Sequence, residues 1–182
     1  MDDLILKLFS WITDLLKNNI SECYKNGTVE YEIMDEFKCN WGKKDTKTLL
    51  IYLTDKYGDN AYEAVDQFLE YYIRKGWAET GSKMAVEGEE IDTFIKLLWE
   101  PLKPIGFVYS MDRKNKDAFF CVTECPIYEA AKTTGLHKWL YHLACKTDFY
   151  SATSFSSKID FRRTKTLIEG DNCCDHCYYC KI

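Results

Sequence analysis

Pro101 and Pro104 divide this chain into two stretches that obey different periodicities. Before them, apolar residues recur at helical spacing. After them come short β-branched and aromatic runs set off by turn residues. Proline removes a backbone donor and stops a helix, so the helix read over residues 89–99 ends here. A chain that changes period in this way has to pack helices against a sheet. The expected fold is α+β: a helical N-terminal half packed on a C-terminal antiparallel sheet, with two short helices among the strands.

In the helical half, Leu4, Leu8, Trp11, Ile12, Leu15 and Leu16 form one amphipathic face running to about Tyr24. Its basic residues are too few for a membrane-surface helix. Asn26-Gly27 breaks it, and residues 29–37 read equally as helix or strand. Asp45 caps a helix that ends at Tyr57-Gly58. Asp59 or Asn60 starts the next, with Ala61, Ala64, Val65, Phe68, Leu69, Tyr72 and Ile73 buried and Gly76 near its end. Beyond the prolines, residues 107–111 and 118–123 pair as a hairpin around a polar turn. Pro126 opens a short helix to about Thr133, and Gly135 separates it from a second over residues 136–145. Residues 151–157 read as a polar loop, 159–167 as a strand, 169–172 as a turn and 174–180 as the last strand. One domain over 1–182 is expected, with 1–44 a helical extension and 45–182 the main body.

With 182 residues, 46% apolar and 29% charged, the chain can bury its own core as an ordinary globular protein. Its net charge of −5 argues against binding to a phosphate backbone. No apolar run reaches membrane-spanning length, and the acidic start, Met1-Asp2-Asp3, is unlike a signal peptide. The expectation is a cytoplasmic protein with a small-molecule substrate and neither nucleic acid nor membrane as partner, a homodimer being open. In a reducing compartment its nine cysteines are thiols or metal thiolates.

Those cysteines anchor three ordered motifs. Phe120 is followed by Cys125-Pro126; after the Gly135 break comes Cys145-x-x-Asp148; then Arg163-x-x-Thr166-Leu167-x-x-Gly170-Asp171-x-x-Cys174-Asp175. The set resembles the L-2-amino-thiazoline-4-carboxylic acid hydrolase family, with weaker agreement at Tyr57-Gly58 and Gly76-x-Ala78, so it covers most of the chain after about residue 45. That family is distantly similar to 4-vinyl reductase-like ligand-binding domains, which share the Gly-Asp-x-x-Cys ending. The resemblance implies hydrolysis of a carbon–nitrogen or carbon–sulfur bond in a small cyclic amidine carboxylate, giving an N-carbamoyl-cysteine, with no cofactor required. The chain departs from the pattern at His176, where an aromatic residue usually follows Cys-Asp, and in the added Cys173, Cys177 and Cys180.

Ring opening needs a nucleophile at the amidine carbon and an acid for the departing sulfur. A thiolate serves if a neighbour lowers its pKa from about 8.5; alternatively a carboxylate activates water. The resemblance carries the site to Cys125, Cys145, Asp148, Asp171, Cys174 and Asp175. In it, Cys145 or Cys174 is the nucleophile and Asp148 or Asp171 the proton shuttle. Arg163 holds the substrate carboxylate by paired hydrogen bonds. His142, three residues before Cys145 on the expected helix, shares its face and joins Arg163 in contacting substrate. Plainer roles stand beside these: thiols pack as small hydrophobes, Asp171 makes a turn, and His142 is satisfied within its helix. Cys174, Cys177 and Cys180, with His176, also have the spacing of a zinc or iron–sulfur half-site. They converge only if the segment is not a regular strand, whose side chains alternate. The alternative function is therefore a non-catalytic module binding a small ligand or metal through these residues.

Overall fold

Side-chain caps set where the first helices begin. The computed structural model describes residues 7, 10–12, 14, 15 and 20–181. Most of the amphipathic segment expected before Tyr24 lies outside these; the residues described between 7 and 15, and those at 20–23, are helical, and Ile12 is fully buried. Thr28 accepts a hydrogen bond from Tyr31 N at 3.3 Å and opens α1, Val29–Asn40. Helix wins over strand here because Ile33, Met34 and Phe37 then share one buried face. Asp45 accepts from Thr48 N at 3.0 Å and opens α2, Thr46–Tyr57, which ends at Gly58 with φ 59°.

The central strut is α3, Asn60–Met84, 25 residues long. It continues past Gly76, which was expected near its end. The stripe from Ala61 to Leu69 buries enough apolar surface to outweigh one poor helix former. Next come α4, Glu90–Leu98, and a 3-10 segment, Glu100–Ile105, which holds both prolines and closes at Gly106 with φ 103°.

Strands β1, Val108–Lys114, and β2, Asp117–Glu124, form the expected hairpin. Pro126 opens α5, Pro126–Thr134, and Gly135 ends it in the left-handed conformation. The helix expected to reach Cys145 stops earlier: α6 is His137–Leu143, followed by a 3-10 turn, Cys145–Thr147. Residues 151–157, expected as a loop, lie largely in α7, Asp148–Phe155. Two hydroxyls fold back onto this helix, Ser151 Oγ to Thr147 O at 2.9 Å and Thr153 Oγ1 to Phe149 O at 3.4 Å. Bonded in this way, polar side chains do not compete with the helix, and Ala152 and Phe155 bury its inner face.

The strand expected over 159–167 is only β3, Ile159–Arg162. Asp175 accepts from Thr164 N and Lys165 N at 2.8 and 2.6 Å, and Asp171 accepts from Thr166 N at 2.8 Å. Carboxylates thus hold the amides that a longer strand would need for its ladder. A 3-10 turn, Leu167–Glu169, leads to β4, Cys174–Cys180. The sheet order is β1-β2-β4-β3 with every pair antiparallel, so the fold is α+β.

The inner face of the sheet meets the helices through rings: Phe94 lies 5.5 Å from both Phe155 and Tyr178, and 4.9 Å from Trp77. Helices α3 and α7 pack tightly together at Gly81. A Cβ there would come within 1.9 Å of Phe155 O. Gly81→Ala is therefore expected to destabilise the fold by about 2 kcal/mol through overpacking, lowering the thermal midpoint by roughly 6 °C for a chain this long. Gly76→Ala, at an open position of the same helix, changes the midpoint in the opposite direction. Calorimetry of both variants checks the contrast.

Candidate active site

Alternation along β4 turns Cys174, His176 and Tyr178 to the buried face of the sheet. Cys125, at the end of β2, is the residue from which α5 starts. Cys145 lies in the turn after α6, Asp148 is the first residue of α7, and Arg163 follows β3. All except Tyr178 line one cavity of about 430 Å³. Its remaining lining is mostly apolar, with Leu98, Trp99, Leu102, Ile105, Phe107, Val122, Ile127 and Leu143 joined by Trp11 and Ile73 from the N-terminal half; Lys7 and Thr147 are the polar additions.

The polar end is organised by one carboxylate oxygen. Arg163 Nη1 donates to Asp148 Oδ2 at 2.6 Å and to Cys145 O at 2.9 Å. His176 Nε2 lies 3.1 Å from the same Oδ2. A carboxylate paired with guanidinium only accepts, so Nε2 is the donor in this contact, and in the neutral imidazole Nδ1 is then the nitrogen with the lone pair. The Arg163 side chain is 2% exposed and that of His176 7%. Burial disfavours the guanidinium charge, but Asp148 and the weaker acids around it, Cys145, Tyr141 and Cys174, together hold Arg163 above its ordinary value. Arg163 Nη2 and His176 Nδ1 are buried with no hydrogen-bond partner among the described residues. The Trp99 ring stacks on Phe120 at 4.3 Å and meets His176 edge-on at 4.9 Å, which fixes the imidazole plane.

The three cavity thiols are held protonated. Burial pushes Cys174 up to about 11, opposed by the hydrogen bond that its sulfur accepts from Leu167 N at 3.2 Å. Burial also holds Cys145 well above its ordinary value, and Asp148 adds to it; Cys125 is raised for the same two reasons.

Other expected site residues lie elsewhere. His142 does not line the cavity: its Nδ1 is 2.7 Å from Asp66 Oδ2 on α3, an oxygen that Lys146 also binds. The turn after α6 carries Cys145 off the helical face that the two residues were expected to share. Asp171 serves the Thr166 amide and Asp175 the loop after β3, both away from the cavity. The metal knuckle requires an irregular tail, and β4 is a regular strand. Cys177 therefore faces away from Cys174, His176 and Cys180, and no group of three or more His, Cys, Asp or Glu among the described residues could hold an ion. The sequence reading gave Trp99 no role, although its position at a helix stop before the sheet was a signal. It also passed over Asp66, an acid inside the apolar stripe of α3, and the four-residue spacing of His142 and Lys146 that meets it.

The model of L-2-amino-thiazoline-4-carboxylic acid hydrolases matches residues 40–178. The chain belongs to that family. No curated protein and no solved structure matches it. The span matched by the hydrolase family holds every cavity residue named above except Lys7 and Trp11. Within it lie Cys125, Cys145, Asp148, Arg163 and Cys174, all of which line the cavity.

Two measurements follow from this geometry. Asp148→Asn leaves a buried cation unpaired and is expected to cost about 3–5 kcal/mol, more than the double variant Asp148→Asn/Arg163→Met, in denaturant unfolding. Alkylation read by mass spectrometry should label exposed Cys39 at neutral pH. Cys174 should react only as the pH nears 11, since the thiolate is the reactive form.

Proposed function

We propose that this protein hydrolyses the ring of a small cyclic amidine carboxylate, as the name of its family describes. The observation that carries the reading is the single Asp148 oxygen bound by both Arg163 and His176 at the closed end of an apolar cavity. In this arrangement Asp148 is a positioning residue, holding the imidazole in the tautomer that leaves Nδ1 basic. The unpaired Arg163 Nη2 offers a donor to the substrate carboxylate.

For a 2-aminothiazoline-4-carboxylate, His176 Nδ1 takes a proton from water as the hydroxide oxygen bonds to the amidine carbon. The carbon–sulfur bond then breaks, its electron pair leaves on sulfur, and the imidazolium returns the proton to it. The hydroxyl proton of the resulting isourea moves to the former ring nitrogen, so one water is consumed and the product is N-carbamoyl-cysteine. The raised thiols favour water over a cysteine as nucleophile, because no thiolate is available near neutral pH.

A second reading, a ligand-binding module without turnover, draws on the same raised thiols and the predominance of apolar wall. The test is release of free thiol from 2-aminothiazoline-4-carboxylate. His176→Gln is expected to lower kcat by roughly 10²–10⁴ with its circular dichroism spectrum kept, while Cys145→Ser and Cys174→Ser retain turnover. Saturable binding with no thiol released from any cyclic amidine carboxylate would leave only the second reading.

A further inference from the structure

We infer that the natural ligand is amphipathic: a carboxylate-bearing ring at the Arg163–His176 end, extended by an apolar substituent of benzyl to octyl size that fills the rest of the cavity. For the ring this rests on the hydrolase reading; for the substituent it rests on the cavity itself.

The first argument is volume. A cavity of about 430 Å³ falls among those that enclose whole drug-sized molecules. A bare aminothiazoline carboxylate, one five-membered ring with two small substituents, would leave most of it filled with water against indole and aliphatic walls. The second is polarity along the depth. Arg163 and His176 are almost wholly buried, and each keeps one nitrogen without a partner among the described residues. At the rim, Trp11 and Ile105 line the same cavity while 41% and 46% exposed. A ligand that satisfies the buried nitrogens with its carboxylate and ring therefore has its other end among Trp11, Leu102 and Ile105, whose side chains offer apolar surface and, as their one polar group, the Trp11 indole N–H; Lys7 lines the same cavity. Such exposed apolar side chains around a cavity mouth gain by being covered.

The probes are straight-chain carboxylates from acetate to decanoate, bound to the full chain and read by tryptophan fluorescence, since Trp11 and Trp99 line the cavity. Alongside them, thiol release is measured for 2-aminothiazoline-4-carboxylate and its N-benzyl and N-octyl derivatives. The dissociation constant is expected to fall roughly threefold to fourfold per added methylene until the cavity is full, and the N-substituted rings should show the higher kcat/KM. Ile105→Glu, a change at an exposed position, should weaken octanoate about tenfold and leave acetate unchanged. Leu102→Trp, which shortens the apolar end, should move the levelling-off to a shorter chain.

Flat chain-length dependence together with turnover of the bare ring overturns this inference and leaves the hydrolase reading standing. Steep dependence with no turnover of any ring supports the amphipathic ligand while removing the hydrolase. Octanoate binding that is unmoved in both variants overturns the assignment of the apolar end.

Discussion

The contact between Arg163 and Asp148 holds the site together. It joins the loop after β3 to the first turn of α7, two segments that no backbone ladder connects. A guanidinium this deeply buried is stable only beside an opposite charge, because leaving water costs an isolated ion several kcal/mol. The carboxylate gains as well, since it sits at a helix N-terminus where the backbone dipole favours negative charge. One of its oxygens then has enough acceptor capacity for a second donor, and His176 supplies it. Structure and chemistry use the same atom, so the imidazole is oriented by an interaction that the fold needs in any case.

Around that polar knot the molecule is built from rings. Trp77, Phe94, Phe155 and Tyr178 lie between helices and sheet, and Trp99, Tyr109 and Phe120 continue the layer to the cavity wall. Trp99 Nε1 donates to Tyr178 Oη at 3.1 Å, satisfying the polar tip of both rings inside the layer. The layer lines much of the cavity with apolar surface, and a low local dielectric strengthens electrostatics at its polar end. Among the described residues no helix is long and apolar enough to cross a membrane.

Much of this was legible in the residues themselves. The caps at Asp45 and Gly58, the proline start of α5 and the alternating run before Cys180 each carry their own local cause, and each element lies where that cause puts it. The ordered motifs around Cys125, Cys145 and Arg163 gave three segments of one wall. What could not be read depended on partners far along the chain. Ser151 to Phe155 is helical because α3 covers it, and β3 is short because Asp171 and Asp175 take its would-be ladder amides. His142 turns to Asp66, a choice that helical spacing cannot reveal because the acid sits 76 positions away. His176 reads beside the thiols as a metal ligand or a base, and its orienting partner, Asp148, comes from a different motif.

The close approach at Gly81 has a bearing on chemistry as well as on packing. Phe155, whose carbonyl lies against that glycine, is the last residue of α7, and Asp148 is the first. Two turns of α-helix form a stiff rod roughly 12 Å long, so the seat of one tip on α3 sets the coordinate of the carboxylate at the other. The missing side chain at position 81 thus acts as a datum point for the Asp148 carboxylate, on a surface outside the cavity lining.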